Sequence, residues 1–197
     1  MYGYKRSAYH ELKARVLPLL ERITEDTTPP QTDLWAREYP EDKQEAFALE
    51  IAQKFGYDLN RGRFDKSEAV FEVSFTREDV RITTRYDRNY LPRALLGAWH
   101  ETGHALYEQA VDATLTRSAL TTDFLGLYAV GGASYGTHES QSRLWETHVA
   151  RSWPFWQLHF PRLREFFPEQ WADIARLTVS VPTPVVKTRS QRICISC

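Results

Sequence analysis

Cysteine is scarce in this chain, and the two it has, Cys194 and Cys197, come at the very end as Cys-Ile-Ser-Cys. Two thiolates fall short of the four ligands of a structural zinc site, and a redox pair also wants a helix N-terminus behind it. The plain reading is a frayed tail. Charge of one sign is missing too: 25 basic side chains meet 26 acidic ones, so no overall field draws the chain to nucleic acid or to an anionic membrane surface. Nor is there a long apolar run. The first twenty residues scatter Lys5, Arg6, Glu11, Lys13 and Arg15 among their apolar positions, unlike a signal peptide or a spanning helix. A soluble, cytoplasmic protein without a membrane partner is the expectation.

What remains is enough for a packed core. The 197 residues include 6 Trp, 10 Tyr and 10 Phe, sufficient for one sizeable domain. Leu12, Val16, Leu19, Leu20 and Ile23 recur at helical spacing between Tyr4 and Ile23, before Thr27-Thr28-Pro29-Pro30 stops the run. A second helix is predicted from about Glu41 to Phe55, with Phe47, Ile51 and Phe55 on one face and Gly56 placed to end it. Val70–Phe75 and Val80–Tyr86 alternate apolar and polar residues and read as strands. Period two puts Arg81, Thr83 and Arg85 on one face of the second strand, opposite Val80, Ile82, Thr84 and Tyr86.

After Pro92 the pattern is helical through about Gln109. Residues 111–135 show weak periodicity and end in a Gly-rich stretch, Gly131 to Gly136, suited to a loop or edge strand beside another backbone. Helical spacing resumes near Thr137 with Leu144, Trp145 and Val149 as the buried stripe, and Pro154 kinks or restarts it. Phe155, Trp156, His159, Phe160, Leu163 and Phe166 then form an aromatic core stripe.

The chemistry lies in His100-Glu101-Thr102-Gly103-His104. Residues four apart share one helix face about one turn apart, so both imidazoles can reach one ion. A catalytic zinc takes three protein ligands and leaves a position for water. Glu101, beside the ligand stripe, suits the base that takes that water's proton. The plainer alternative is a solvated helix face with two histidines. Against it, Leu95, Trp99, Thr102 and Leu106 already form a separate packing stripe. Gly103 costs roughly 1 kcal/mol relative to Ala within a helix, and a small residue there lets another backbone come close.

A third ligand must come from further along. The extended pattern with Gly three and His six residues after the second His fails, since Tyr107 and Ala110 stand there. His138, Glu139, Glu146, His148 and His159 are the candidates, and periodicity does not choose among them. Glu139, Arg143 and Glu146 share a helix face, so Arg143 could orient a carboxylate; an ordinary surface ion pair of Glu139 with Arg143 is the plain alternative.

Three ordered blocks, Asp79 to Tyr86, His100 to Gln109 and His138 to Glu146, resemble the carboxypeptidase Taq family. The resemblance runs from about Glu41 to Ile174. It implies a mainly α fold with a small β-hairpin or short sheet around a zincin-like core, in a cytoplasmic, commonly homodimeric enzyme. Such enzymes remove C-terminal residues from peptides with a free C-terminus, using zinc, or cobalt in some members. It also implies that Glu139 completes the metal site with His100 and His104. The block holding Asp79, Arg81 and Thr83 is similar to the segment lining the groove beside the metal, which makes Arg81 and Arg85 candidates for binding the substrate's terminal carboxylate.

The chain departs from the family at Ala69-Val70-Phe71, where members carry His-Pro-Phe, and it lacks two later blocks. The expectation is therefore a family core over residues 1–178, truncated relative to the family, with a divergent tail over 179–197. A truncated or frameshifted gene product would account for that tail. The main functional reading is a zinc carboxypeptidase with Glu101 as base. The alternatives are a metal-binding but inactive fragment, and a helical interaction domain without metal.

Overall fold

The structure, a computed structural model, describes residues 2–25, 37–116, 118 and 135–172. Helix α1 spans Tyr2–Glu25 and carries Pro18 inside it. Its expected apolar stripe is not covered among the described residues: Leu12 and Leu19 are exposed, and Val16 and Leu20 are half-buried.

Helix α2, Glu41–Phe55, follows Pro40 and opens with Glu41 and Asp42, whose charges suit a helix N-terminus. It buries Gln44, Phe47, Ala48, Ile51 and Ala52. Gly56 ends it at φ 111°, with its N–H bonded to the carbonyls of Ala52 and Gln53.

Three strands follow: β1 (Gly62–Lys66), β2 (Glu72–Thr76) and β3 (Asp79–Thr84), in the spatial order β1-β3-β2. β2 and β3 form the expected hairpin, antiparallel with Glu72 opposite Ile82. β1 is an addition, pairing parallel to β3 with Phe64 opposite Ile82. Its sequence, Gly-Arg-Phe-Asp-Lys, has one large apolar residue, too little alternation to read as a strand. Tyr57 ties the two together, its hydroxyl lying 2.7 Å from Val80 O and 2.8 Å from Arg63 O.

Helix α3, Leu91–Gln109, has Pro92 in its first turn, where the missing N–H costs nothing. One side rests on the sheet: Thr84 Oγ1 donates to Ala94 O at 3.0 Å, and Ala105 packs with Val80 and Ile82. The other side meets α2, where Trp99 Nε1 donates to Ala48 O at 3.2 Å.

Helix α4, Tyr135–Arg143, runs directly into one π-helical turn, Leu144–Val149, closed by Ala150 N to Trp145 O at 2.8 Å. That wider turn breaks the 3.6-residue spacing on which the expected stripe depended. Leu144 is 41% exposed and Glu146 turns inward instead, while Trp145 stacks on Phe55 with centroids 4.3 Å apart.

Helix α5, Trp153–Phe166, restarts at Ser152, whose hydroxyl caps Phe155 N, with Pro154 in the first turn. Phe155, Trp156, Phe160 and Leu163 join Trp99, Phe47 and Leu95 in the main core. The Gly131–Ser134 stretch and Cys194 and Cys197 lie outside the described residues.

Candidate metal centre

α3 offers His100 and His104 one turn apart, and α4 crosses close enough to bring Glu139 to them. The closeness is set at Gly103, where a Cβ would stand 2.4 Å from Ser142 Cα and 2.7 Å from Gln141 O. No side chain fits between the two helices there.

The three candidate donor atoms converge. His100 Nε2 lies 3.3 Å from His104 Nε2, and Glu139 Oε2 lies 3.7 Å and 3.4 Å from them respectively. Four-coordinate zinc with bonds of about 2.0–2.1 Å separates its donors by roughly 3.3–3.4 Å. Two imidazole nitrogens and a carboxylate oxygen at these spacings fit that donor set, and they form a possible metal site. Burial, helped by the neighbouring His138 and His100, pushes the His104 imidazole down to about 4. It is therefore neutral, with a lone pair to offer, at ordinary pH.

Each donor is held from behind. Glu139 Oε1 accepts from Arg143 Nε at 2.8 Å, leaving Oε2 for the histidines. His100 Nδ1 faces Glu146 Oε2 at 3.0 Å, and Glu146 also accepts from Arg143 at 3.0 Å and Arg151 at 2.6 Å. Burial pushes the Glu146 carboxyl up, but those hydrogen bonds and charges outweigh it and hold the group at about 2. His104 Nδ1 meets His138 Nδ1, and His138 Nε2 meets Glu108 Oε1 at 2.8 Å.

The five candidates for the third position thus separate. Glu139 joins the two histidines; Glu146 backs His100 and His138 backs His104. His148 is exposed on the π turn, and His159 packs on Phe155 within the aromatic core, with ring centroids 4.6 Å apart.

Glu101 is 6% exposed, and burial is the first cause that pushes its carboxyl up to about 7. His100 and His138 pull it down, while Glu72 and Glu139 push the same way as burial. A carboxylate so tuned can both take and release a proton near neutral pH.

Arg81 and Arg85 do not come to this cluster. Arg81 stands on the face of β3 opposite Val80 and Ile82, which pack with Ala105 of α3, and Arg85 follows the end of that strand. The Arg81 guanidinium is engaged by Asp79 through two bonds of 2.8 Å and lies over the Phe75 ring; Arg85 is 3.6 Å from Glu68.

Sequence reasoning missed Glu108, Arg151 and Glu72. Glu108 sits four residues after His104 on the same helix face, a usable signal; Arg151 follows Glu146 by five, a spacing that only a π turn makes meaningful.

The family model described as carboxypeptidase Taq (M32) metallopeptidase matches residues 5–189, beyond both ends of the 41–174 stretch. Carboxypeptidase 1 of Bacillus subtilis is 36% identical over 167 residues, which cover 85% of this chain and 32% of that protein. Thermostable carboxypeptidase 1 of Thermus thermophilus is 42% identical over 159 residues, covering 81% and 29%. The crystal structure of an M32 carboxypeptidase from Deinococcus radiodurans superposes with a TM-score of 0.72 at 41% identity, covering 84% of this chain and 31% of that one. The chain therefore spans about a third of the length of these relatives.

Proposed function

The chain belongs to the carboxypeptidase Taq (M32) metallopeptidase family, and from that premise we propose that it is the metal-binding core of a zinc carboxypeptidase. The observation that carries this reading is the convergence of His100 Nε2, His104 Nε2 and Glu139 Oε2 from two helices to separations of 3.3–3.7 Å. In this reading those three residues hold zinc, with cobalt as a substitute. When bound, the ion supplies Lewis-acid polarisation of the scissile carbonyl.

The remaining steps belong to the protein. Glu101 accepts the proton of the attacking water and delivers it to the departing amine, a role that its place beside the ligand His100 allows. Arg143 and Glu146 keep Glu139 and His100 in place. The substrates are peptides with a free C-terminus, and a cytoplasmic, homodimeric enzyme is part of the same proposal, on family membership alone. No helix among the described residues is long and apolar enough to cross a membrane.

A second reading is an ion-binding chain without hydrolytic activity. The deciding experiment is metal analysis of the purified protein followed by release of C-terminal residues from free and C-terminally amidated peptides. One bound ion with cleavage of free peptides only supports the carboxypeptidase. One bound ion with neither cleaved supports the second reading, and no bound ion sinks both. Glu101→Gln should keep the ion and lower kcat by about 10²–10⁴-fold.

A further inference from the structure

Glu108 sits one helical turn beyond His104, and its side chain is 2% exposed. A carboxylate buried this deeply needs a donor. It has one in His138 Nε2, at 2.8 Å. The opposite nitrogen of that ring, Nδ1, meets Nδ1 of His104; the two rings lie 24° from coplanar with centroids 4.5 Å apart. Tyr107 packs on His138 at 4.8 Å and holds it from the side.

The donors and acceptors in this row permit one arrangement when an ion sits on His104. A carboxylate has no hydrogen to give, and a neutral imidazole has one. His138 therefore spends its hydrogen on Glu108 through Nε2, and its Nδ1 can only accept. Nδ1 of His104 must then donate, which leaves the lone pair on Nε2, the atom that faces His100 and Glu139. His100 is served by one carboxylate directly, Glu146; His104 is served by a carboxylate acting through a second imidazole.

We propose that Glu108 and His138 are positioning residues of the metal site, fixing the tautomer and ring orientation of His104 through two hydrogen bonds in series. This rests on the reading of His104 as a ligand. Removing such outer partners typically weakens metal affinity about 10–100-fold.

The test is zinc affinity, read by competition with a chromogenic chelator, and the visible absorption of the cobalt-loaded protein. The wild type is compared with H138A, H138Q, E108L and H138A/E108L. H138A should lose about 10–100-fold in affinity and alter the cobalt spectrum while still binding one ion. H138Q should stay within about threefold of wild type, since its amide can accept from His104 and donate to Glu108. The double variant should bind no more weakly than H138A, because the two residues act in one line.

Unchanged affinity in H138A would overturn the relay and leave the metal site standing, as would losses that simply add in the double variant. Failure of the wild type to bind any ion would overturn both. Should H138A not fold, E108L, which keeps much of the buried bulk but offers His138 no acceptor, decides alone: a several-fold loss supports the proposal and no loss overturns it.

Discussion

Gly103 on α3 and Ser142 on α4 touch backbone to backbone: a Cβ at residue 103 would come within 2.4 Å of Ser142 Cα and 2.9 Å of its nitrogen. Neither atom is the end of a flexible side chain, so an added methyl must move a helix. Gly103→Ala is expected to push α4 outward, destabilise the fold by about 3 kcal/mol and abolish stoichiometric metal binding. Gly97, on the same helix, is the control, because its Cβ would meet nothing nearer than Val70 Cγ1 at 3.4 Å. Gly97→Ala should be neutral or gain up to about 1 kcal/mol from helix propensity. Equal thermal shifts in the two variants would show that the contact is not the constraint.

Glu72 gives a prediction that depends on pH. Burial pushes its carboxyl up to about 7, with Glu108 adding to the effect against the Ser74 hydroxyl and His138. A carboxyl raised on folding binds its proton more tightly in the native state, so wild-type stability falls as pH rises from about 4.5 to 7. Glu72→Gln removes that loss. In the presence of chelator, the variant should gain on the wild type by roughly 2 kcal/mol between pH 5 and pH 8. A melting difference that stays constant across this range would refute the assignment.

Glu146 should behave in the opposite sense. Held at about 2, below its ordinary value, its carboxyl contributes stability that is complete above about 4.5 and fades as pH falls toward 2. Glu146→Gln should cost about 3 kcal/mol at pH 7, because Arg151 loses its buried carboxylate. By pH 3 most of that difference should be gone. Urea titrations of both proteins at the two pH values supply the comparison, and a cost that persists in acid would contradict it.

Tyr57 is the pin between the parallel strands. Its hydroxyl sits within 2.8 Å of the Val80 and Arg63 carbonyl oxygens. Tyr57→Phe should lower stability by about 1–2 kcal/mol. The urea dependence should keep its slope, since the surface exposed on unfolding hardly changes. A variant as stable as the wild type would remove the hydroxyl from any structural role.

The sequence was most readable where local chemistry and packing agree. Pro92 and the apolar stripe of Leu95, Trp99 and Thr102 bound α3, and Gly103 announced the neighbour that α4 supplies. β1 was hidden because its one large apolar residue, Phe64, makes no pattern and its partner, Ile82, lies eighteen residues on, in the far arm of the hairpin. Leu144 was misplaced because a π turn obeys a different period. The choice of Glu139 over His138 depends on how α4 crosses α3, a contact through space that no spacing along the chain encodes. The side of β3 that Arg81 takes was legible, since strand alternation puts it opposite Val80 and Ile82.

The widened turn at Leu144–Val149 holds one residue more than a regular coil of the same rise would need. Winding those same residues at ordinary pitch would swing everything downstream by roughly 100° about the axis. Arg151 would no longer reach Glu146, and the aromatic helix that follows would present a different side to Trp99. A more regular coil would therefore make a worse protein: the widened turn is what lets one stretch of chain serve the histidine cluster at its start and the core at its end.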